Sequence, residues 1–214
     1  MTDALATSQQ NALDLLRRAR VMPVLSLESA AQGVDCARAL AAGGLTAIEV
    51  TLRTPAALDA IKAIRAADLG LKVGAGTILD VHQLAAAIAH GAEFIVTPGT
   101  PPALTDAVLH AQVPVIPGAA TASEIMALRA RGFRVLKFFP AAPSGGIGAL
   151  NALRGPFGDL NFCPTGGIGE DDAQAYLALP NVPCVGGSWM VRKEWLQAGD
   201  WDRVTASARR SLGA

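Results

Sequence analysis

Met22–Ala30 reads MPVLSLESA, and its reading decides the fold. The first residues are apolar and strand-like. The chain then passes into Ser26-Leu27-Glu28-Ser29 without a glycine. A doubly wound open sheet places a glycine-rich phosphate-binding turn directly after its first strand. That turn is absent here. A chain that alternates strands with helices, and lacks this signature, is expected to close into a barrel.

Working outward, the same kind of strand recurs. The candidates are MPVLS at 22, AIEVTL at 47, KVGAGT at 72, FIVTPG at 94, VPVIPG at 113, RVLKFFP at 134, NFCPTG at 161 and PCVGGS at 183, with starts 19 to 27 residues apart. Ala/Leu-rich helical patterns fill the intervals. Thr54-Pro55 predicts a helix start, with proline at the first helical position. Asp80 with Gln83, and Thr121 with Glu124, predict capping boxes. Gly43, Gly91 and Gly132 stand where helices should end in a left-handed residue. Eight strand–helix units in a 214-residue chain predict an α/β protein of the (β/α)₈ TIM-barrel type. The reading is one domain over residues 1–214. Residues 1–20 form its N-terminal extension, with an extra helix over residues 7–20 packed on one end.

Composition narrows the function. Formal net charge is zero and no basic stripe occurs. Nucleic acid and anionic membranes are therefore not expected partners. The N-terminus has polar residues throughout and no apolar h-region, so no signal peptide is expected. No apolar stretch is long enough to span a bilayer. Cys36, Cys163 and Cys184 are far apart and form no CxxC pair. Free thiols in a reducing cytoplasm are the expectation. His82, His90 and His110 all fall in helical segments, and no HxH, HExxH or carboxylate cluster has metal-ligand spacing. Neither a metal nor a cofactor is expected.

Barrel strands alternate between lumen and helix layer, and the strand C-termini carry the chemistry. VLKFFP (Val135–Pro140) is then the most informative strand. The chain has four lysines against fourteen arginines, yet Lys137 stands in this apolar run. If Lys137 faces the lumen, so do Val135 and Phe139, while Leu136 and Phe138 face the helices. An ammonium between apolar walls is poorly solvated, which favours the neutral amine. A neutral amine attacks carbonyls to form a Schiff base, whereas arginine stays protonated. The plainer reading is a lysine in an internal ion pair or one snorkelling past the strand end.

AIEVTLRT puts Glu49, Thr51 and Arg53 on one face and Ile48, Val50 and Leu52 on the other. A carboxylate inside a core strand is costly unless paired or useful. Glu49 is either one end of an internal bridge or a general acid and base beside Lys137. Arg53, nearer the strand end, suits a substrate carboxylate. KVGAGT ends in Thr77 after Gly74 and Gly76, offering a hydroxyl at the mouth. Two further strands end in Thr165-Gly166-Gly167 and Gly186-Gly187-Ser188. Exposed backbone amides in the loops after strands 7 and 8 are a frequent phosphate site in barrels. Glu170, Asp171 and Asp172 follow closely, and are expected in the first turn of the next helix, facing solvent.

EVTLRT, VGAGT, TPG, IPG, KFFPA, FCPTGGI and GGSW occur in this order between about residues 15 and 205. In this the chain resembles the 2-keto-3-deoxy-6-phosphogluconate (KDPG) aldolases. These are class I, Schiff-base enzymes of the Entner–Doudoroff pathway, often also active on 4-hydroxy-2-oxoglutarate. The resemblance implies that Lys137 forms the imine and Glu49 shuttles protons. It implies that Arg53 and Thr77 hold the pyruvate carboxylate, that Pro98 and Phe139 line the pocket, and that Thr165, Gly166, Gly167 and Ser188 take the phosphate. It also implies a cytoplasmic homotrimer acting on pyruvate and a phosphorylated keto acid. A related family acting on the galactonate epimer has a second-strand motif closer to EIPLNS and lacks CPTGG, so EVTLRT and FCPTGGI side with the gluconate enzymes. Ala119-Ala120-Thr121 departs from the family's usual serine-threonine stretch.

Overall fold

A computed structural model describes residues 3–213. Helix α1 (Asp3–Ala19) leads into strand β1 (Val21–Leu25). The strands β2 (Ala47–Thr51), β3 (Lys72–Gly76), β4 (Phe94–Val96) and β5 (Val115–Ile116) follow in turn, separated by helices α2 (Ala30–Ala42), α3 (Ala57–Ala66), α4 (Val81–Ala89) and α5 (Pro102–Val108). After β6 (Gly118–Ala119) come α6 (Ala122–Ala130), β7 (Val135–Phe138), α7 (Gly146–Arg154), β8 (Asn161–Pro164), α8 (Glu170–Leu177) and β9 (Val185–Gly187). A three-ten turn (Trp189–Val191), α9 (Lys193–Ala198) and α10 (Trp201–Ser211) complete the described chain.

Every strand pairing is parallel, in two arcs ordered β5-β4-β3-β2-β1-β9 and β6-β7-β8. The arcs join into a ring at two places. Between β5 and β6 only Pro117 intervenes, so the expected fifth strand is present but split. Proline has no amide to give the ladder. Its carbonyl still accepts the Lys137 amide at 2.9 Å, and the Thr97 hydroxyl accepts the Gly118 amide at 2.9 Å. On the far side, a Thr165–Gly186 bridge links the ends of β8 and β9. The architecture is thus the eight-fold barrel that the spacing predicts.

Strand parity sorts the apolar residues into two cores. Ile48, Val50, Val73, Ile95, Leu136, Phe138, Phe162 and Val185 face the helices. Met22, Ala47, Phe94, Val96, Ile116, Val135, Cys163 and Cys184 face the lumen, where Ala12, Leu16 and Ala19 of α1 close the floor. Gln9, buried on the same helix, fixes this plug. Its side-chain NH₂ donates to the Val115 carbonyl at 3.0 Å, and its oxygen accepts from the Arg134 and Val135 amides at 2.8 and 2.9 Å. The extra helix packs as expected but begins earlier, at Asp3.

Two local expectations need correction. Thr54-Pro55 does not start a helix: α3 begins at Ala57, and the Thr54 hydroxyl donates instead to the Leu27 carbonyl. Gly43 is right-handed (φ −78°), and the left-handed residue is Gly44 (φ 92°). Gly43 is required by space rather than by φ, since a side chain there would strike Ala208 on α10. Gly91 and Gly132 are left-handed as expected. Thr121 and Glu124 form the capping box. Asp80 caps His82 and Gln83, but Gln83 returns its oxygen to the Leu79 amide, one residue early. Among the described residues no helix is long and apolar enough to cross a membrane.

Candidate active site

β2 and β7 stand four places apart around the ring, so their inward residues face each other across the lumen. Glu49 lies at the level of Val24 and Gly74, and Lys137 at the level of Gly118 and Cys163. Both side chains rise from the apolar floor and meet above it. Lys137 Nζ donates to Glu49 Oε1 at 3.2 Å, and the two side chains are 2% and 3% exposed. The space they occupy is cleared by neighbours without side chains. A Cβ on Gly76 would strike the Glu49 carboxylate, and one on Gly74 would strike the Phe94 ring. Lys137 Nζ also lies 5.2 Å from the centroid of the Phe139 ring.

A buried ion pair contributes little net stability, because desolvation offsets the attraction. Its retention in a lumen that could be packed with apolar side chains points to chemistry. The amine and carboxylate are within proton-transfer reach of each other and of a carbonyl placed above them. The buried sulfur of Cys184 is inert. Burial pushes the Cys184 thiol well above its ordinary range, helped by the neighbouring Cys163 and by the Glu49 charge. A protonated thiol is a poor nucleophile. Cys36, in the helix layer, is pushed up to about 12 by burial alone.

Arg53 lies two residues past the end of β2, and its Nε donates to the Thr77 hydroxyl at 3.1 Å. Thr77 sits just past β3 at φ 58°. A β-branched residue in the left-handed region is an outlier, and such strain concentrates at functional sites. Its hydroxyl holds the root of the guanidinium group. Among the described residues Arg53 makes no ion pair, so its two terminal nitrogens remain available for a carboxylate.

The two glycine pairs differ: Gly186 and Gly187 are buried within β9, covered by the Thr165 and Trp189 side chains, and only the pair after β8 lies in a turn. Gly166 (φ 100°) and Gly167 (φ 75°) are both left-handed, and a Cβ on Gly166 would come 3.2 Å from the Phe139 ring. That ring therefore ties the glycine loop to the lysine strand. Thr165 is deeper than expected for a mouth residue. It is buried at the β8–β9 seam, filling the space left by Gly186. Ser188 is exposed at the end of β9, and Pro98 is half-buried past β4. Glu170, Asp171 and Asp172 occupy the first turn of α8, as the sequence predicts. His82 and His110 are exposed, and His90 is half-buried at the end of α4.

The structure adds groups that motif reading passed over. Ser26, past β1, makes a hydroxyl–hydroxyl contact with Thr51 at 3.0 Å. Thr51 itself donates to the Leu25 carbonyl at 2.7 Å, so Ser26 donates to Thr51. The signal was available: Ser26 continues the inward series Met22, Val24. Ser26, Arg53 and Ser188 line one cavity of about 520 Å³ at the mouth, with Arg192 in its wall. Gly166, Gly167, Glu49 and Lys137 are not part of that lining.

The motifs and the fold agree with the comparisons. The family model for KDPG and KHG aldolase matches residues 13–207. The chain belongs to the KDPG and KHG aldolase family. A 2-dehydro-3-deoxy-phosphogluconate aldolase of Pseudomonas aeruginosa is 48% identical over 198 residues, covering 92% of this chain and 90% of that protein. The KDPG aldolase of Legionella pneumophila, solved with pyruvate captured as a covalent carbinolamine, superposes with a TM-score of 0.91 at 38% identity, covering 93% of this chain and 97% of that one. The Zymomonas mobilis enzyme with 3-phosphoglycerate gives 0.89 at 41% identity, with 95% of each chain covered.

Proposed function

We propose that this aldolase cleaves 2-keto-3-deoxy-6-phosphogluconate to pyruvate and glyceraldehyde 3-phosphate through an imine on Lys137, and also acts on 4-hydroxy-2-oxoglutarate. The observation that carries the reading is the buried contact of 3.2 Å between Lys137 Nζ and Glu49 Oε1 across the lumen. The lysine attacks the C2 ketone as the free amine, with Glu49 holding the proton. Glu49, directly or through a water, returns a proton to the carbinolamine hydroxyl, which leaves as water, giving the protonated imine. The iminium then acts as an electron sink. Removal of the C4 hydroxyl proton by the carboxylate breaks the C3–C4 bond and releases the aldehyde. The remaining enamine takes a proton at C3, and hydrolysis frees pyruvate and the lysine.

The other residues have positioning tasks. Arg53, held by Thr77, takes the C1 carboxylate and sets C2 over the amine. Gly166 and Gly167, with Ser188 and Thr165, serve the phosphate end. Binding energy at that remote group is used to place the reacting carbons. Pro98 and Phe139 form the apolar walls. The enzyme works as a cytoplasmic homotrimer in this reading, an assignment that rests on the family and on the three free, buried cysteines.

Borohydride reduction in the presence of pyruvate, followed by peptide mass mapping, tests the reading. The expected result is a reduced pyruvate adduct on Lys137, and none in Lys137→Arg, whose side chain stays protonated. An adduct on another residue, or none in the wild type, overturns it.

A further inference from the structure

The phosphate end assigned above offers backbone amides and hydroxyls but no fixed positive charge. A cationic candidate lies four residues beyond Ser188. Arg192 shares the wall of the 520 Å³ mouth cavity with Arg53, Ser26 and Ser188. This cavity therefore joins the residue assigned to the carboxylate end with one assigned to the phosphate end.

Arg192 is held in place. The segment from Ser188 to Val191 is a three-ten turn, closed by the Val191 amide on the Ser188 carbonyl at 3.0 Å. Trp189 bolts that turn to the body. Its ring covers Gly187, where a Cβ would collide with it, and its indole nitrogen donates to Ser211 on α10 at 2.8 Å. The Arg192 carbonyl then accepts the amides of Trp195 and Leu196 at 3.0 and 3.1 Å. The guanidinium carbon stands 5.0 Å from the centroid of the Trp195 ring. Stacking of this kind orders the planar group while leaving its donors free. Among the described residues Arg192 makes no ion pair. The same wall carries Lys193 and two carboxylates, Glu28 and Glu194. With Arg53, cationic groups outnumber anionic ones.

We propose that Arg192 is a specificity-determining residue that binds the substrate's phosphate from the β9 side. It thereby favours the six-carbon phosphorylated keto acid over the shorter five-carbon diacid. The inference rests on the aldolase reading above and deepens its phosphate end. A charge-assisted bond from a preorganised guanidinium discriminates by roughly tenfold at a partly exposed site.

The test measures kcat/KM for 2-keto-3-deoxy-6-phosphogluconate and for 4-hydroxy-2-oxoglutarate in wild type, Arg192→Ala, Arg192→Lys and Trp195→Leu. Competitive inhibition by inorganic phosphate is measured on each. In Arg192→Ala the ratio of the two kcat/KM values should fall about tenfold, with phosphate inhibition weakened by a similar factor. Arg192→Lys should recover part of the ratio, as a point charge without the fork. Trp195→Leu should fall between wild type and Arg192→Ala. If both substrates decline equally in Arg192→Ala, or the ratio and phosphate inhibition hold, Arg192 has no role in phosphate selection. If wild type traps no pyruvate on Lys137, the aldolase reading itself fails, a result distinct from failure at Arg192.

Discussion

The lower and upper halves of the lumen are built from the same strands at the same parity, yet they differ in kind. Below, Ala47 on β2 and Val135 on β7 belong to one buried apolar cluster with Leu16 of α1. One inward step up the same strands, Glu49 and Lys137 meet at 3.2 Å. The floor holds buried sulfurs and hydrocarbon, with the Cys184 thiol kept protonated. Only two residues separate inert packing from the Lys137–Glu49 pair. The floor therefore supplies what the pair needs, since an apolar base excludes water from beneath and leaves the mouth as the approach. Surface ion pairs such as Arg129–Asp159, at 3.0 Å and half-exposed, have no such surroundings and contribute little.

The comparison breaks most sharply at Glu49. Glu49→Gln keeps the shape and an oxygen for Lys137 but removes the acid–base function proposed for the carboxylate. The expected loss in kcat is about 10²- to 10⁴-fold. Pyruvate should still be trapped on Lys137, though more slowly. A fall of less than about tenfold would make Glu49 a structural partner of the lysine and nothing more.

The floor should break in the opposite sense. Leu16 is fully buried on α1 among the inward residues. Leu16→Ala removes hydrocarbon and leaves a cavity, at a cost of about 2–5 kcal/mol. Thermal unfolding should shift down by roughly 4–20 °C, given about 2–4 °C per kcal/mol for a chain of this size. At 25 °C kcat should stay within about twofold, because the pair above keeps its geometry. A large drop in kcat with little change in melting temperature would show that floor and mouth are not separable.

How much of this was legible in the sequence follows the same division. Barrel strands obey a period of two, so one lysine and one glutamate in apolar runs are enough to fix which residues face inward. Lys137, Glu49 and Val135 fall where that rule puts them. The split at Pro117 was not foreseen, although VPVIPG contains the proline that cannot donate to the ladder. Thr54-Pro55 misled because a cap motif is local, while the Thr54 hydroxyl is used by Leu27 on the preceding loop. Gly43 misled for the same reason, its demand coming from Ala208, which lies far along the chain. Arg192 carries no motif at all. Its interest arises from a cavity shared with residues distant in sequence, and no pattern along the chain reports that. Ser26 was legible in principle, as the next inward position of the first strand.

Glu124 sharpens the contrast from the other side, for it is an exposed carboxylate whose hydrogen-bond partners are all on the adjoining Ala120 and Thr121. It caps α6, the helix that leads into the lysine strand. Its Oε2 accepts from the Ala120 and Thr121 amides and from the Thr121 hydroxyl, all at 2.9 Å. The Ala120 amide bond is the largest influence and lowers its pKa below the ordinary 4.5, with partial burial opposing and the Thr121 bonds assisting. A carboxyl lowered in the folded state stabilises it fully above its unfolded value and loses that contribution as pH falls through the folded value. Glu124→Ala should therefore cost at most about 1 kcal/mol at pH 7, because solvent screens the exposed charge, or no more than roughly 2–4 °C in melting temperature. The gap between variant and wild type should hold down to near pH 5 and shrink below pH 4.5 as the wild-type carboxyl takes up its proton. Thermal melts of both proteins at pH 7 and pH 3 check this, and an equal gap at the two pH values would show that the charge contributes nothing. Burial separates the two carboxylates. The Glu49 side chain is 3% exposed and answers to a lysine across the lumen, whereas Glu124 stands in solvent and answers to its own backbone, so its removal should register in the melt and leave kcat alone.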